Sequence, residues 1–312
     1  MKKLMIFCLL GIGLSLNAQH QVNSFFDERG VARIQTQAYS PQADTIITAE
    51  HRAEDVIWSR VVYRVIDMRY KQNYQLYFPT RSDDPNYRSL FKVIVDGIVD
   101  GLPVYTKRDD QIAPDFTQPM PRNEVPKIFL TDKPGEDYSK DTTHFNVATS
   151  SAMLLHYDSI ADTYSFFFYP YESFVRNQLK YVIQEVIFFD RHYSRLYSKI
   201  MAIAPLQSDK IDLSGESTLT AKLLQSLLFW ISFDELRPYL QKQFIIPNQN
   251  DTKRVTFDEF FQKKLYTSYI LGDGNIYNRL ITDYATTPED VKKEQDRIAA
   301  ELLNFEQDLW EY

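Results

Sequence analysis

The stretch from Leu179 to Ile203 constrains the fold of this chain more than any other. Leu179 to Phe189 is β-branched and aromatic with Lys180, Gln184 and Glu185 interspersed. Asp190-Arg191-His192-Tyr193-Ser194 has the composition of a turn, and Leu196 to Ile203 returns as a second apolar run. Two such runs about a short polar turn predict an antiparallel hairpin. A hairpin alone is marginal in water, so a larger sheet is the expected core of this region. Tyr164 to Tyr169 is aromatic enough for another buried strand. The run Leu227-Leu228-Phe229-Trp230-Ile231 reads either as a strand or as part of a helix from Thr220, because periodicity does not separate the two over so few residues.

Helical signals flank this centre. From Glu54, the residues Ile57, Trp58, Val61, Val62, Val65 and Ile66 recur in pairs four apart, which predicts a helix with a broad buried stripe. On it Arg60 and Arg64 would sit one turn apart, with Asp67 in reach of Arg64 and Lys71. A second helix is expected over Arg88 to Asp100, closed by Gly101 as a left-handed C-cap and by Pro103. Thr256 and Glu259 form a capping box for a helix carrying Phe257, Phe260, Phe261, Leu265, Tyr266 and Ile270, with Gly272 as its stop. Thr287, Pro288 and Asp290 supply the start of a final helix whose seam is Val291, Ile298, Leu302, Phe305 and Leu309. Tyr105 to Arg122 and Asp132 to Ser150 read as loops, long enough to be contact loops. The expected class is α+β: an antiparallel sheet with packed helices and a C-terminal helix.

The first residues read as an export signal. Met1-Lys2-Lys3 precedes an apolar run from Leu4 to Leu16, too short to span a bilayer as a helix, and Ala18 places a cut ahead of Gln19. Residues 1–18 are therefore expected to be a signal peptide, 19–53 an extended arm with little periodicity, and 54–312 the α+β domain. The sole cysteine, Cys8, lies in the leader and lacks the small residues of a lipid-attachment site. The exported chain would then hold together without disulfides, which nearly three hundred residues can do by burial alone. The 312-residue chain carries a formal charge of −7, and loss of Lys2 and Lys3 makes it more negative by two. A nucleic-acid partner would favour the opposite sign. No later apolar run approaches the roughly twenty residues of a spanning helix, so membrane association is expected only through a partner.

Catalytic and metal-binding patterns are sparse. His20, His51, His144, His156 and His192 have no zinc-site spacing, and His192 falls in the predicted turn. No serine has the frame of a nucleophile elbow, Ser214-Gly215 included. The pairs Asp83-Asp84 and Asp109-Asp110 read as solvated turn residues. Gly272-Asp273-Gly274-Asn275 lacks the alternating oxygens of a calcium loop. Phe166 to Tyr171 reads as core packing, with a sugar-binding platform as the alternative. No cofactor, metal or catalytic residue is expected. The two other classes left open are a soluble periplasmic glycan- or peptide-binding protein and a periplasmic hydrolase.

Four blocks carry a resemblance. The ending Phe305-Glu306-Gln307-Asp308-Leu309-Trp310-Glu311-Tyr312, the segment from Asp55 to Asp67, Leu76-Tyr77-Phe78-Pro79, and Ile200 to Pro205 resemble the GldN/PorN family of gliding-motility and type IX (Por) secretion proteins of Bacteroidetes. The resemblance covers most of the chain from about Glu54. It implies a non-enzymatic structural subunit in the periplasm, in rings with the outer-membrane lipoprotein GldK/PorK beneath the outer membrane, and in contact with the periplasmic part of GldM/PorM. It marks no individual interface residue.

The terminal helix supplies that hypothesis from its own electrostatics. Glu301, Glu306, Asp308, Glu311 and the terminal carboxylate crowd the end where the helix dipole is already negative. Either solvent and nearby cations of the same chain answer them, or a partner does. Glu306, Asp308, Trp310, Glu311 and Tyr312 are accordingly the candidate partner-binding residues, since aromatic anchors ringed by charge are the usual makings of a binding hot spot.

Overall fold

The computed structural model describes residues 51–79, 87–108, 111–132, 151–153, 155–166, 180–207, 223–224, 226–246, 255–274, 279–285 and 287–308. The leader and all but the last residues of the arm lie outside them. So do Asp83, Asp84, Asp109, Asp110, Ser214, Gly215, His20, His144 and the aromatic run beyond Phe166.

The predicted hairpin forms the centre. Strands β8 (Lys180–Asp190) and β9 (Arg195–Leu206) pair antiparallel about a turn at 191–194, in which Ser194 takes a left-handed conformation (φ 49°). Earlier in the chain come β1 (Val56–Asp67), β2 (Tyr105–Lys107), β3 (Pro114–Pro119), β4 (Leu130–Asp132), β5 (Ser151–Met153), β6 (Leu155–Asp158) and β7 (Thr163–Phe166), and later β10 (Ile231–Ser232) and β11 (Ser268–Asp273). The main sheet has the order β10-β9-β8-β1-β11, and its described pairings are all antiparallel. The helices are α1 (Tyr74–Tyr77), α2 (Leu90–Val99), α3 (Val125–Ile128), α4 (Phe233–Leu240), α5 (Phe257–Gln262), α6 (Ile281–Tyr284) and α7 (Pro288–Asp308). The protein is thus α+β, an antiparallel sheet with packed helices and a long C-terminal helix.

The segment from Glu54 is the main correction. It is not a helix but the strand β1, paired with β8 on one side and β11 on the other. From Val62 onward both its faces are covered, so adjacent apolar residues are used on opposite sides, whereas Ile57 at the strand's beginning is 63% exposed; the pairs that mimic a helical stripe are the mark of a strand buried on both faces over that half. Tyr63 and Val65 join one apolar cluster with Val182, Ala202 and Trp230. Ile66 joins another with Tyr181 and Ile183, and Val62 packs with Ile187 and Ile298. The abundance of valine and isoleucine favours the strand, since branched side chains lose rotamers against a helical turn and pack well on a pleated surface.

Two layers flank the sheet. Helices α2, α4 and α5 pack Phe91, Ile94, Leu236, Phe257 and Phe261 with the Ile66 face. The opposite face is covered by β2, β3 and the segment ending at Trp230, whose amide and carbonyl exchange 2.8 Å hydrogen bonds with Tyr105. The expected Tyr105–Arg122 loop is therefore partly a two-stranded ribbon. Prolines at both ends of β3, tolerated at a sheet edge, give it a loop-like composition. Leu227 and Trp230 make isolated bridges and only Ile231 and Ser232 join the main sheet, which settles that run as extended. Strands β4 and β5 pair across Asp132 and Ser151, and what joins them lies outside the described residues. Tyr164 is in β7, paired with β6.

Helix α2 ends as predicted, with Gly101 at φ 104° and the Leu102 amide donating to the Gly97 carbonyl at 2.7 Å. Helix α5 begins as predicted, the Glu259 amide donating to Thr256 Oγ1 at 3.2 Å. It ends a residue past Phe261, however, and not at Gly272. Lys264 turns left-handed (φ 51°), Leu265 and Tyr266 fall in the connection that follows, and Ile270 belongs to β11. Gly272 serves close packing there, since a Cβ would meet Leu280 Cδ2 at 3.0 Å.

Candidate interaction surface

Helix α7 starts where its cap predicts: Thr287 Oγ1 accepts from the Asp290 amide at 3.2 Å and donates to Asp290 Oδ2 at 2.6 Å. Its amphipathic side then lies on β11 and β1. Ile298 and Leu302 are buried against Val62, Ile187, Ile270 and Ile281, and Gln295 Nε2 donates to the Ile270 carbonyl at 2.8 Å. Near the end, Phe305 stacks on half-buried Trp58 with ring centroids 4.2 Å apart. Residues 295, 301 and 305 thus meet β1 and its neighbour progressively closer to the beginning of β1, so the helix runs against that strand.

The like-charged pair Arg60 and Arg64 is resolved by the strand. Both point to the same face, and each is answered by acids distant in sequence. Arg60 donates from Nε to Asp273 Oδ2 (3.1 Å) and from Nη1 to Glu301 Oε2 (3.1 Å). Burial works against its charge, but these carboxylates outweigh it and raise the guanidinium pKa further. Arg64 donates from Nε to Glu185 Oε2 at 2.7 Å, and Lys264 donates to the other Glu185 oxygen. Asp67 pairs with Arg69, not with the helical partners expected for it.

Glu185 lies on β8 at a position facing the helices, buried between the cluster holding Ile183 and that holding Ile187. Burial alone would push its carboxyl up. Lys264 and Arg64 prevail and hold it below its ordinary value. The Tyr266 hydroxyl, buried near this trio, has no hydrogen-bond partner among the described residues, and burial pushes its pKa up strongly. Asp190, at the end of β8, is also held down. Its burial is offset by His51, whose Nδ1 lies 2.5 Å from Oδ2, and by the Tyr193 and His192 amides. His51 is ringed by Phe188, Tyr193 and Tyr197, and so ties the start of the described chain to the β8–β9 turn. His192 is a turn residue that edges onto Tyr193.

These carboxylates set an acid limit. A group whose folded pKa is depressed contributes stability that is fully present above its unfolded value and is lost as pH falls through the folded value. Glu185, Asp190 and Asp67 all shift down, so the unfolding free energy should be nearly flat between about pH 7 and 5 and fall below about pH 4. Urea titrations across that range should show a shallower acid slope for Glu185→Gln. An unchanged slope would mean that Glu185 does not titrate differently on folding.

Of the candidate partner-binding residues, Glu306 and Asp308 lie on the exposed last turn of α7, and no cation pairs with either among the described residues. Glu301, one and a half turns earlier, is answered by Arg60 and Arg297. Trp310, Glu311 and Tyr312 lie outside the described residues. A double-mutant cycle on Trp58→Ala and Phe305→Ala should give a coupling of about 0.5–1.5 kcal/mol, the usual worth of an aromatic pair beyond its buried area. Additive losses would show that the stack does not hold the helix end. The sequence signal for this tie was present only as a tryptophan and a phenylalanine in separate apolar patterns.

Among the described residues no three or more metal-ligating side chains converge, and no helix is long and apolar enough to cross a membrane. The visible surface features are an ion-paired helix strapped over one end of the sheet, an acidic last turn and a few exposed aromatic side chains. They belong to a mixed α+β protein. A family model described as "Gliding motility associated protein GldN" matches residues 51–311, and the chain belongs to that family. It is therefore a component of the gliding-motility and type IX secretion machinery with an envelope location, in a family of structural components not known as enzymes. A search of curated proteins finds no match.

Proposed function

We propose that the chain is a non-enzymatic periplasmic subunit of the type IX secretion and gliding machinery. It forms a ring complex with the outer-membrane lipoprotein GldK/PorK and meets the periplasmic region of GldM/PorM. It needs no cofactor. The observation that carries this reading is the family match over 51–311. The solvent-facing acids at the end of α7 support it by offering a surface that the described part of the chain leaves unanswered. The leader 1–18 is removed on export, and the arm 19–53 runs along a neighbouring subunit. The domain from residue 54 forms the body, with Glu306, Asp308, Trp310, Glu311 and Tyr312 as its partner edge.

Detergent extraction of envelopes followed by pull-down and protein identification tests this reading. Co-purification with the lipoprotein, and a mature mass beginning near Gln19 without lipid, are the expected results. A chain that stays monomeric in the extract and brings down no envelope protein would sink it.

A further inference from the structure

Where β1 leaves the sheet, the chain presents aromatic side chains to solvent. Tyr70 is 49% exposed, Tyr74 47% and Phe78 45%. Phe78 is in edge contact with Tyr74 and Tyr77, and Tyr77 packs into the main core, so the patch is anchored from below. The neighbouring turn between α5 and β11 is bonded to it: Asn73 donates to the Thr267 carbonyl (2.8 Å) and Gln72 Nε2 to the Leu265 carbonyl (2.6 Å). That turn adds the half-exposed Leu265. The rim is cationic. Arg69 and Lys264 are each spoken for by an acid beneath, whereas exposed Lys71 has no ion-pair partner among the described residues.

The Tyr74–Phe78 ring pair, with Tyr70 exposed on the turn before it, is the kind of exposed apolar surface that marks a contact site. The surface with the matching chemistry is on the same chain. The last turns of α7 carry Leu303, 55% exposed, with Glu306 beside it at i+3 and Asp308 at the negative end of the helix. The two surfaces cannot meet within one molecule. Phe305 stacks on Trp58 near the beginning of β1, while Tyr70 follows its end at Asp67, a separation of about 30 Å at ~3.3 Å per strand residue.

We infer that the Tyr70–Tyr74–Phe78 patch, with Lys71 at its rim, receives the acidic end of α7 from a second copy of this chain. The inference rests on the reading of the chain as a subunit of a multi-copy assembly. Joining different surfaces at opposite ends of the sheet makes the contact head-to-tail, the kind that generates a ring when the rotation closes. Leu303 lies against the aromatic rings, and Glu306, three residues on along the same helix face, meets Lys71.

Cysteine cross-linking in intact cells tests it, in a full-length Cys8→Ser background so that no native thiol interferes. A chain carrying both Tyr74→Cys and Glu306→Cys should oxidise to a ladder of three or more copies, while each single variant stays monomeric. A disulfide within one chain is out of reach, since it needs Cα atoms within about 7 Å. In a Tyr74→Cys, Leu303→Cys chain, Lys71→Glu should lower ladder yield about fivefold, the effect of an ion pair of about 1 kcal/mol, and adding Glu306→Lys should restore it. Dimers from either single variant would show a symmetric contact and overturn the inference. No ladder from chains that still co-extract with envelope partners would overturn it while leaving the functional reading intact, whereas absence of co-extraction by the wild-type chain would remove that reading.

Discussion

Asp258→Ala should destabilise the protein by about 3–5 kcal/mol, the range found when one member of a buried ion pair is removed. Arg237 on α4 donates from Nε to Asp258 Oδ1 at 2.8 Å and from Nη2 to Oδ2 at 3.1 Å, and both side chains are at most 5% exposed. Gln241 Nε2 reaches the same carboxylate at 3.4 Å. Such a two-point bond matches the planar guanidinium to the carboxylate and locks α4 against α5. Alanine would strip that two-point bond from a buried Arg237 charge beside Phe233, Leu236, Phe257 and Phe261. The expected loss is about a fifth or more of the total stability of a typical domain. The partner test separates net worth from the cost of an orphan. Arg237→Met with Asp258→Leu should recover most of the loss, because well-packed apolar replacements of a buried pair are often neutral or better. Urea unfolding of the two variants beside the wild type measures this. A single-variant loss below about 1 kcal/mol would show that Arg237 reaches water or another acid.

How much of this fold was legible follows from the range over which each signal acts. The β8–β9 hairpin, the cap of α7 and the Gly101 stop of α2 are written in residues that touch within one turn, and they fall where the sequence places them. Strand β1 was misread because a strand buried on both faces has no period of two, and its Ile57/Trp58, Val61/Val62 and Val65/Ile66 pairs fall on a helical spacing. The same cause extended α5 into β11. The ion pairs were illegible for another reason. Arg64 and Glu185 are 121 residues apart, and Arg60 and Glu301 are 241 apart. Nothing in either local window announces the partner. The excess of acid at the end of α7 was visible in the sequence, but that Arg60 would answer Glu301 while Glu306 and Asp308 stay open required the packing of that helix on β1.

Reversing the two open acids, Glu306→Lys with Asp308→Lys, should leave the fold intact and sharply reduce secretion of type IX cargo in cells. Both side chains face solvent, and the helix is held upstream by Ile298, Leu302 and the Phe305 stack. Two lysines at a helix C-terminus interact favourably with its dipole, by about 0.3–1 kcal/mol each, so thermal stability should hold or rise slightly. Function should move the other way. A surface that recognises a basic or aromatic partner loses its attraction and gains repulsion, and rim charges act most on association rate and on salt dependence. Wild-type assembly extracted at increasing salt should therefore weaken as screening grows, since the Debye length shrinks from about 10 Å at 0.1 M to about 3 Å at 1 M. The lysine variant should be weakest at low salt and gain, not lose, association as salt screens the repulsion. Melting temperature, the yield of co-extracted envelope protein and cargo secretion together decide the matter. A folded variant that assembles and secretes as the wild type does would remove these acids from the partner edge and leave the end of α7 as a solvated tail beyond the Trp58 stack.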